Sequence, residues 1–209
     1  MSPVDTTFTA VSASATMPEL RASFLISTRL AGFIYRAIIG LGAFGEVFVR
    51  GSLVVSGNAP STATSILASH VLWRSGIATD LLMHVLDVPL IVFFYFLLKP
   101  VSKPLALLAT ALNVVQTCVL AANKLSLVAV ILMLERSVSA TAVSPQGLHD
   151  LAYVAIKLHG YGFGVGLIFF GFACMVRGYL IFHSNFVPRI YGVLLAVAGI
   201  SYLANSFAL

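Results

Sequence analysis

The sequence predicts an all-α, polytopic transmembrane helix bundle of about five spans, with several helices longer than a bilayer is thick. Three observations carry that expectation. Hydrophobic residues fill 59% of the 209 positions and charged residues only 9%, whereas an ordinary soluble domain is near one quarter charged. Mean hydropathy is +1.01, and five apolar runs reach the ~20 residues that a helix needs to cross a hydrocarbon core. Alternating apolar and polar residues, the mark of a membrane barrel strand, are absent.

The first 28 residues are rich in Ser, Thr and Ala and lack the basic start and continuous apolar core of a cleaved signal peptide. They read as a flexible cytoplasmic tail, 1–28, ahead of a bundle over 29–209. Within that tail Leu20, Phe24 and Leu25 fall at helical spacing beside Arg21, a pattern that suits a short interfacial helix leading into the membrane.

The expected spans run from Leu30 to Val49, Gly76 to Leu98, Leu105 to Leu134, His159 to Phe182 and Pro188 to Phe207. Prolines and charges set their limits. Lys99-Pro100-Val101-Ser102-Lys103-Pro104 is a tight, doubly basic turn, and His183 to Arg189 is another in which Pro188 is placed to open a helix. Basic residues are retained in cytoplasmic loops, so both turns and the amino terminus are expected on the cytoplasmic side of the inner (plasma) membrane. The loops 50–75 and 135–158 then lie outside. The third run from Leu105 to Arg136 would be about 48 Å long as one helix, so it must tilt or protrude. A rival reading breaks that run near Asn123-Lys124 into a re-entrant pair, although no Gly or Pro marks a break.

Small residues recur every seven positions along the last two spans: Gly164, Gly171 and Gly178 on the fourth, Gly192, Gly199 and Ser206 on the fifth. In lipid, helices associate by close backbone approach at such stripes, so these spans are expected to pack as an antiparallel hairpin. Gly160-Tyr161-Gly162-Phe163-Gly164 superficially resembles a phosphate loop, but it follows no strand and lies inside a span.

The polar residues inside the spans carry the functional information. Asp80, His84 and Asp87 stand at i, i+4 and i+7, on one face of the second span. An ionisable group at the bilayer centre costs about 2.5 to 3.5 kcal/mol even on the gentler scales, so such groups need partners or water. Counting about 1.5 Å per residue from the basic turns, Glu46, Asp80, His84, Asp87, Gln116, Asn123, Lys124 and Asn205 fall in one layer, with His159 slightly beyond it. The expectation is one polar cavity in the outer half of the membrane, open to the exterior. Competing with it is a satisfied interhelical network linking the Asp80 face to Asn123 or Lys124. Glu46 and Arg50, four residues apart, suit a surface pair, and Arg36 and Arg177 read as snorkelling anchors near the cytoplasmic face. His84, His159 and the nearby carboxylates are zinc-compatible donors, yet neither HExxH nor paired cysteines accompany them; Cys118 and Cys174 read as small hydrophobes in apolar runs.

Taken together, Arg29-Leu30-Ala31-Gly32, Leu72 to Leu82 (LWRSGIATDLL), the Lys-Pro-Val turn after Leu98, His159 with Gly162, and Asn185 to Gly192 (NFVPRIYG) resemble a bacterial family of multi-pass membrane proteins, the domain of unknown function 4386. The resemblance implies the helical membrane fold and leaves activity and cofactor open. Similar members carry Asp at the place of Asn205 and continue into a further span. By that comparison the chain is a shortened member, or completes its bundle as a homodimer or with another membrane subunit. Asp80 and His159 match the family pattern, while His84 and Asp87 are more individual.

Twelve Lys and Arg give a net charge of +5, but they are scattered singly, which speaks against nucleic acid as a partner and leaves the lipid bilayer. Three functions remain in view: a receptor-like or transport-related protein holding a small molecule, ion or lipid headgroup; a membrane-embedded enzyme, metal-dependent or not, acting on a lipid or isoprenoid-like substrate through Asp80 or Asp87 with His84 or His159; and an assembly subunit whose buried charges serve packing alone.

Overall fold

Continuous apolar sequence leaves a chain in lipid one local solution, the helix, because every backbone N–H and C=O must find its partner within the segment. A computed structural model shows that outcome, and it describes residues 17–135 and 144–208, with side chains from residue 28 onward. The elements are α1 (Met17–Ala43), a π-helical stretch (Phe44–Arg50), α2 (Gly51–Leu53), α3 (Ala59–Ala68), α4 (His70–Leu98), α5 (Lys103–Glu135), α6 (Pro145–Phe182) and α7 (Arg189–Phe207). Five helical segments are long and apolar enough to cross a membrane: Thr28–Leu53, His70–Leu98, Lys103–Glu135, Pro145–Phe182 and Arg189–Phe207.

Each expected span is therefore present, with differences at its ends. Helix α5 is one unbroken helix of 33 residues, which overturns the re-entrant alternative at Asn123-Lys124. Helix α6 begins at Pro145, where Ser144 caps it by accepting from Gly147 N at 3.1 Å. Its 38 residues make a rod of about 57 Å against a hydrocarbon core of about 30 Å. The backbone of α1 is helical from Met17, inside the stretch expected as a tail; the rest of that tail, 1–16, lies outside the described residues, as does loop segment 136–143.

Two local features were not foreseen. Between α2 and α4 the chain builds α3, capped by Asn58 Oδ1 accepting from Ser61 N at 2.9 Å and preceded by Gly57 at φ +74°, a left-handed turn that suits glycine. Near the end of the first span the helix widens into a π-helical stretch, whose closing bond runs from Gly51 N–H to Glu46 O.

Packing follows chain order: α1 lies on α4, α4 on α5, α5 on α6 and α6 on α7, while α1 and α7 form the two edges and share no extensive interface. The expected α6–α7 hairpin is there, on the expected glycines. A Cβ built on Gly178 would stand 2.7 Å from Gly192 O, and one on Gly199 would stand 2.6 Å from Gly171 O. Backbone atoms cannot yield, so only glycine permits this approach.

Two apolar cores close the ends of the bundle. At the end bearing α3, Val49, Leu53, Ile66, Trp73, Leu127 and Val130 pack together with neighbours from α6, and Trp73 Nε1 donates to Leu127 O at 3.2 Å. At the end bearing the basic turns, Leu98, Ala106, Leu180 and Ile181 form a second core.

Candidate functional site

The polar residues of the spans resolve into two separate groups, one ionic and closed, the other lining an open chamber. They are reached from the same helix. Asp80 and Asp87 lie on one face of α4, about two turns apart, and each meets different neighbours.

Asp80 is 1% exposed; two cations hold its Oδ2, while its Oδ1 has no hydrogen-bond partner among the described residues. Arg50 Nη1 reaches its Oδ2 at 2.6 Å and Lys124 Nζ reaches the same oxygen at 2.9 Å. Glu46 binds Arg50 Nε at 2.8 Å from outside, its side chain 71% exposed. The four charges balance. Gly45 makes the arrangement possible, since a Cβ there would collide with the Asp80 carboxylate. Beside this cluster Asn123 Nδ2 donates to His159 O at 2.8 Å and lies 2.9 Å from His159 Nδ1, against the bare backbone of Gly162.

Asp87 has no cation within ion-pair distance among the described residues. Thr117 Oγ1 donates to its Oδ2, and Asn113 Nδ2 reaches the same atom at 3.4 Å. Asn113 also donates to Gln116 Oε1 at 2.8 Å, so a polar stripe on α5 faces the carboxylate. This stripe and Asp87 form one wall of a chamber of about 370 Å³. Met83, His84 and Leu90 continue that wall along α4, Leu167 and Cys174 come from α6, Tyr35 and Ile39 from α1, and Leu195 and Tyr202 from α7. The lining is mainly apolar.

Two side chains in that lining are buried with an unused polar atom. His84 is 5% exposed and its Nε2 has no partner among the described residues; Arg177 is 7% exposed and its Nη2 has none among them. The Arg177 guanidinium lies 4.9 Å from the centre of the Phe94 ring, a cation–π contact that uses the face of the cation and gives its N–H groups no hydrogen-bond acceptor. No carboxylate forms an ion pair with it among the described residues.

The expected single layer is thus corrected in four places. Asp80 and Lys124 belong to the ionic group, and Asn123 and His159 to the pair beside it. Glu46 is exposed and does not line an interior space, and Asn205 on α7 is exposed as well. His84, Asp87 and Gln116 alone of the expected set line the chamber. The chamber also sits nearer the basic-turn end than the outer half expected for it: its α6 lining from Phe163 to Arg177 lies about 8 to 28 Å from the end of α6 at Phe182. Among the described residues no three His, Cys, Asp or Glu side chains converge in a way that could hold a metal ion; Asp80, one of the carboxylates considered for such a set, is held by Arg50 and Lys124.

Sequence reasoning missed Arg50, Arg177, Gly45, Asn113 and Thr117. For three of them a signal existed. Asn113, Gln116 and Thr117 stand at i, i+3 and i+4 within an apolar run, a polar stripe that needs an interior partner. Arg177 follows Phe163, Phe170 and Cys174 at helical spacing on the stripe beside the Gly171 and Gly178 face, so its inward direction was readable once that face was assigned to α7.

An uncharacterized protein of Archaeoglobus fulgidus is 29% identical to this chain over 125 residues, 59% of this chain and 60% of that relative. The chain therefore spans less than two thirds of that relative's length. No solved structure matches the chain. The family model of DUF4386, a domain of unknown function, matches residues 30–209, and this all-helical chain with five apolar spans belongs to that family.

Proposed function

We propose that the chain is a multi-pass protein of the plasma membrane that holds a small molecule in the chamber formed by α4, α5 and α6. One observation supports this above the others: an apolar space of about 370 Å³ retains an imidazole and a guanidinium, both more than nine-tenths buried, with unused donor or acceptor atoms. Buried polar groups without partners are costly, and a mainly apolar pocket with a few convergent polar groups is the usual form of a ligand site. The ionic group around Asp80 fits a structural role instead. In this reading the end with Lys99, Lys103 and Arg189 faces the cytoplasm.

The test fills the chamber and asks what leaves. Wild type and Leu167→Trp are purified in a mild detergent, and molecules released on denaturation are identified by mass spectrometry. A compound present near one per chain in wild type and depleted in Leu167→Trp is the expected result. Equal carry-over in both proteins overturns the proposal.

A second reading, an enzyme acting on a lipid or isoprenoid-like molecule, draws support from His84 and Asp87 lining the same wall. An imidazole and a carboxylate one turn apart are a workable acid–base pair. Conversion of the extracted compound by wild type but not by His84→Gln is its expected mark, and an unchanged compound with both proteins counts against it.

A further inference from the structure

The chamber's surroundings limit how anything reaches it. Towards α3 the space is stopped by the Trp73 core and the Arg50–Asp80–Lys124 cluster, and towards the basic turns by the core around Leu98 and Leu180. Three sides are walled by α4, α5 and α6, which pack on one another in sequence. The fourth lies between the edge helices, where Ile39 on α1 and Tyr202 on α7 line the space without an extensive α1–α7 interface. Ile39 is 57% exposed, so in a bilayer this side faces acyl chains.

Resting on the reading that the chamber binds a ligand, we infer that the ligand is a single-chain anionic amphiphile that enters from the lipid between α1 and α7 with its headgroup leading. Arg177 supplies the anion anchor: its Nη2 is unpartnered among the described residues while Phe94 holds its face, and a guanidinium fork matches carboxylate and phosphate oxygens. Across the chamber Asp87 is an acceptor, already aligned by Thr117 and Asn113, and it calls for a hydrogen-bond donor on the headgroup, such as a hydroxyl. A chamber of about 370 Å³ suits a headgroup with the start of one chain, and the remainder of that chain stays in the gap among lipid tails.

The probe is 1-lauroyl-glycerol 3-phosphate, which carries a phosphate, a hydroxyl and one chain. Its controls are monolaurin, which lacks the anion, and glycerol 3-phosphate, which lacks the chain. With the protein in phosphatidylcholine nanodiscs, saturable thermal stabilisation by the full probe and by neither control is expected, with affinity weakened about tenfold or more by Arg177→Gln. Equal stabilisation by glycerol 3-phosphate overturns entry from lipid, and equal stabilisation by monolaurin overturns the anion anchor. Should Arg177→Gln fail to fold, a diazirine at the chain terminus of the same probe answers in wild type: labelling concentrated on α1 and α7 near Ile39 and Tyr202 is expected. Labelling spread equally over Leu125 and Leu132, exposed on α5, overturns the proposal. If a compound is displaced by Leu167→Trp while the probe has no effect, only this ligand assignment fails. If neither behaves as expected, the binding reading falls with it.

Discussion

Asp80 and Asp87 are the same residue type on the same face of one helix, and the structure treats them in opposite ways. Around Asp80 the chain brings two cations to one carboxylate oxygen and leaves 1% of the residue exposed. Around Asp87 it supplies only neutral donors, Thr117 and Asn113, and leaves open space with Arg177 beyond ion-pair contact. The first arrangement balances its charge within the chain and, although Asp80 Oδ1 has no partner among the described residues, lines no chamber; the second opens onto one. Burial of a charge is therefore a poor guide to function by itself; what distinguishes a site is polar capacity left unused beside room to use it.

Removing each carboxylate should separate the two roles most clearly. Asp80→Ala strands Arg50 and Lys124 in the interior, and breaking a buried pair from one side typically costs about 3 to 5 kcal/mol. Asp87→Ala loses neutral hydrogen bonds and strands their donors, at about 1 to 3 kcal/mol. Thermal or denaturant unfolding in detergent should show Asp80→Ala as clearly the less stable, and equal losses would dissolve the contrast.

That contrast explains how much could be read in advance. The five spans were legible because lipid imposes a length and a composition on every crossing segment. The α6–α7 hairpin was legible because Gly171, Gly178, Gly192 and Gly199 mark a close approach with no other purpose in a helix. The partition of polar residues was not. Depth counted along each helix places Asp80 and Asp87 near one another, but rotation about the helix axis and the π-helical widening at Phe44–Arg50 decide which neighbour each one meets. Arg50, expected to pair only with Glu46, turns inward to Asp80. Arg177 lies close to a membrane face by depth alone, where long basic side chains commonly snorkel; its position beside the glycine face of α6 and its packing against Phe94 show that it points inward.

A smaller effect tests the backbone contribution to the closed cluster. Gly45→Ala puts a methyl group against the Asp80 carboxylate, and overpacking of this kind costs about 1 to 3 kcal/mol. Gly40→Ala, one turn earlier with nothing within 4 Å of the added carbon, should be neutral or stabilising by up to about 1 kcal/mol, the helix preference of Ala over Gly. A loss at Gly40 equal to that at Gly45 would mean that the fit around Asp80 is not what glycine serves.

Smaller still is the coupling between sites. Asp80→Asn combined with Lys124→Met should depart from additivity by about 0.5 to 3 kcal/mol, as contacting charges do. Asp87→Asn with Lys124→Met should be additive to within about 0.5 kcal/mol, because Lys124 is engaged by Asp80 at 2.9 Å. Strong coupling in the second pair would merge the two groups into the single layer that depth counting implies.

The least change in stability is expected at the residue most concerned with binding. Arg177 is buried with its Nη2 unpartnered among the described residues, and its visible compensation is the contact with Phe94, worth about 2 kcal/mol when desolvated. Against that stands the penalty of holding an unpaired cation out of water, several kcal/mol even after relaxation. Arg177→Met keeps the length and apolar packing of the side chain and removes the charge, so the ligand-free protein should unfold within about 1 kcal/mol of wild type, or later. The same substitution should abolish stabilisation by an anionic amphiphile. A residue whose loss leaves the fold intact and the binding gone is held in place for a guest, whereas a fold that collapses with Arg177→Met would assign this cation to the architecture alongside Arg50 and Lys124.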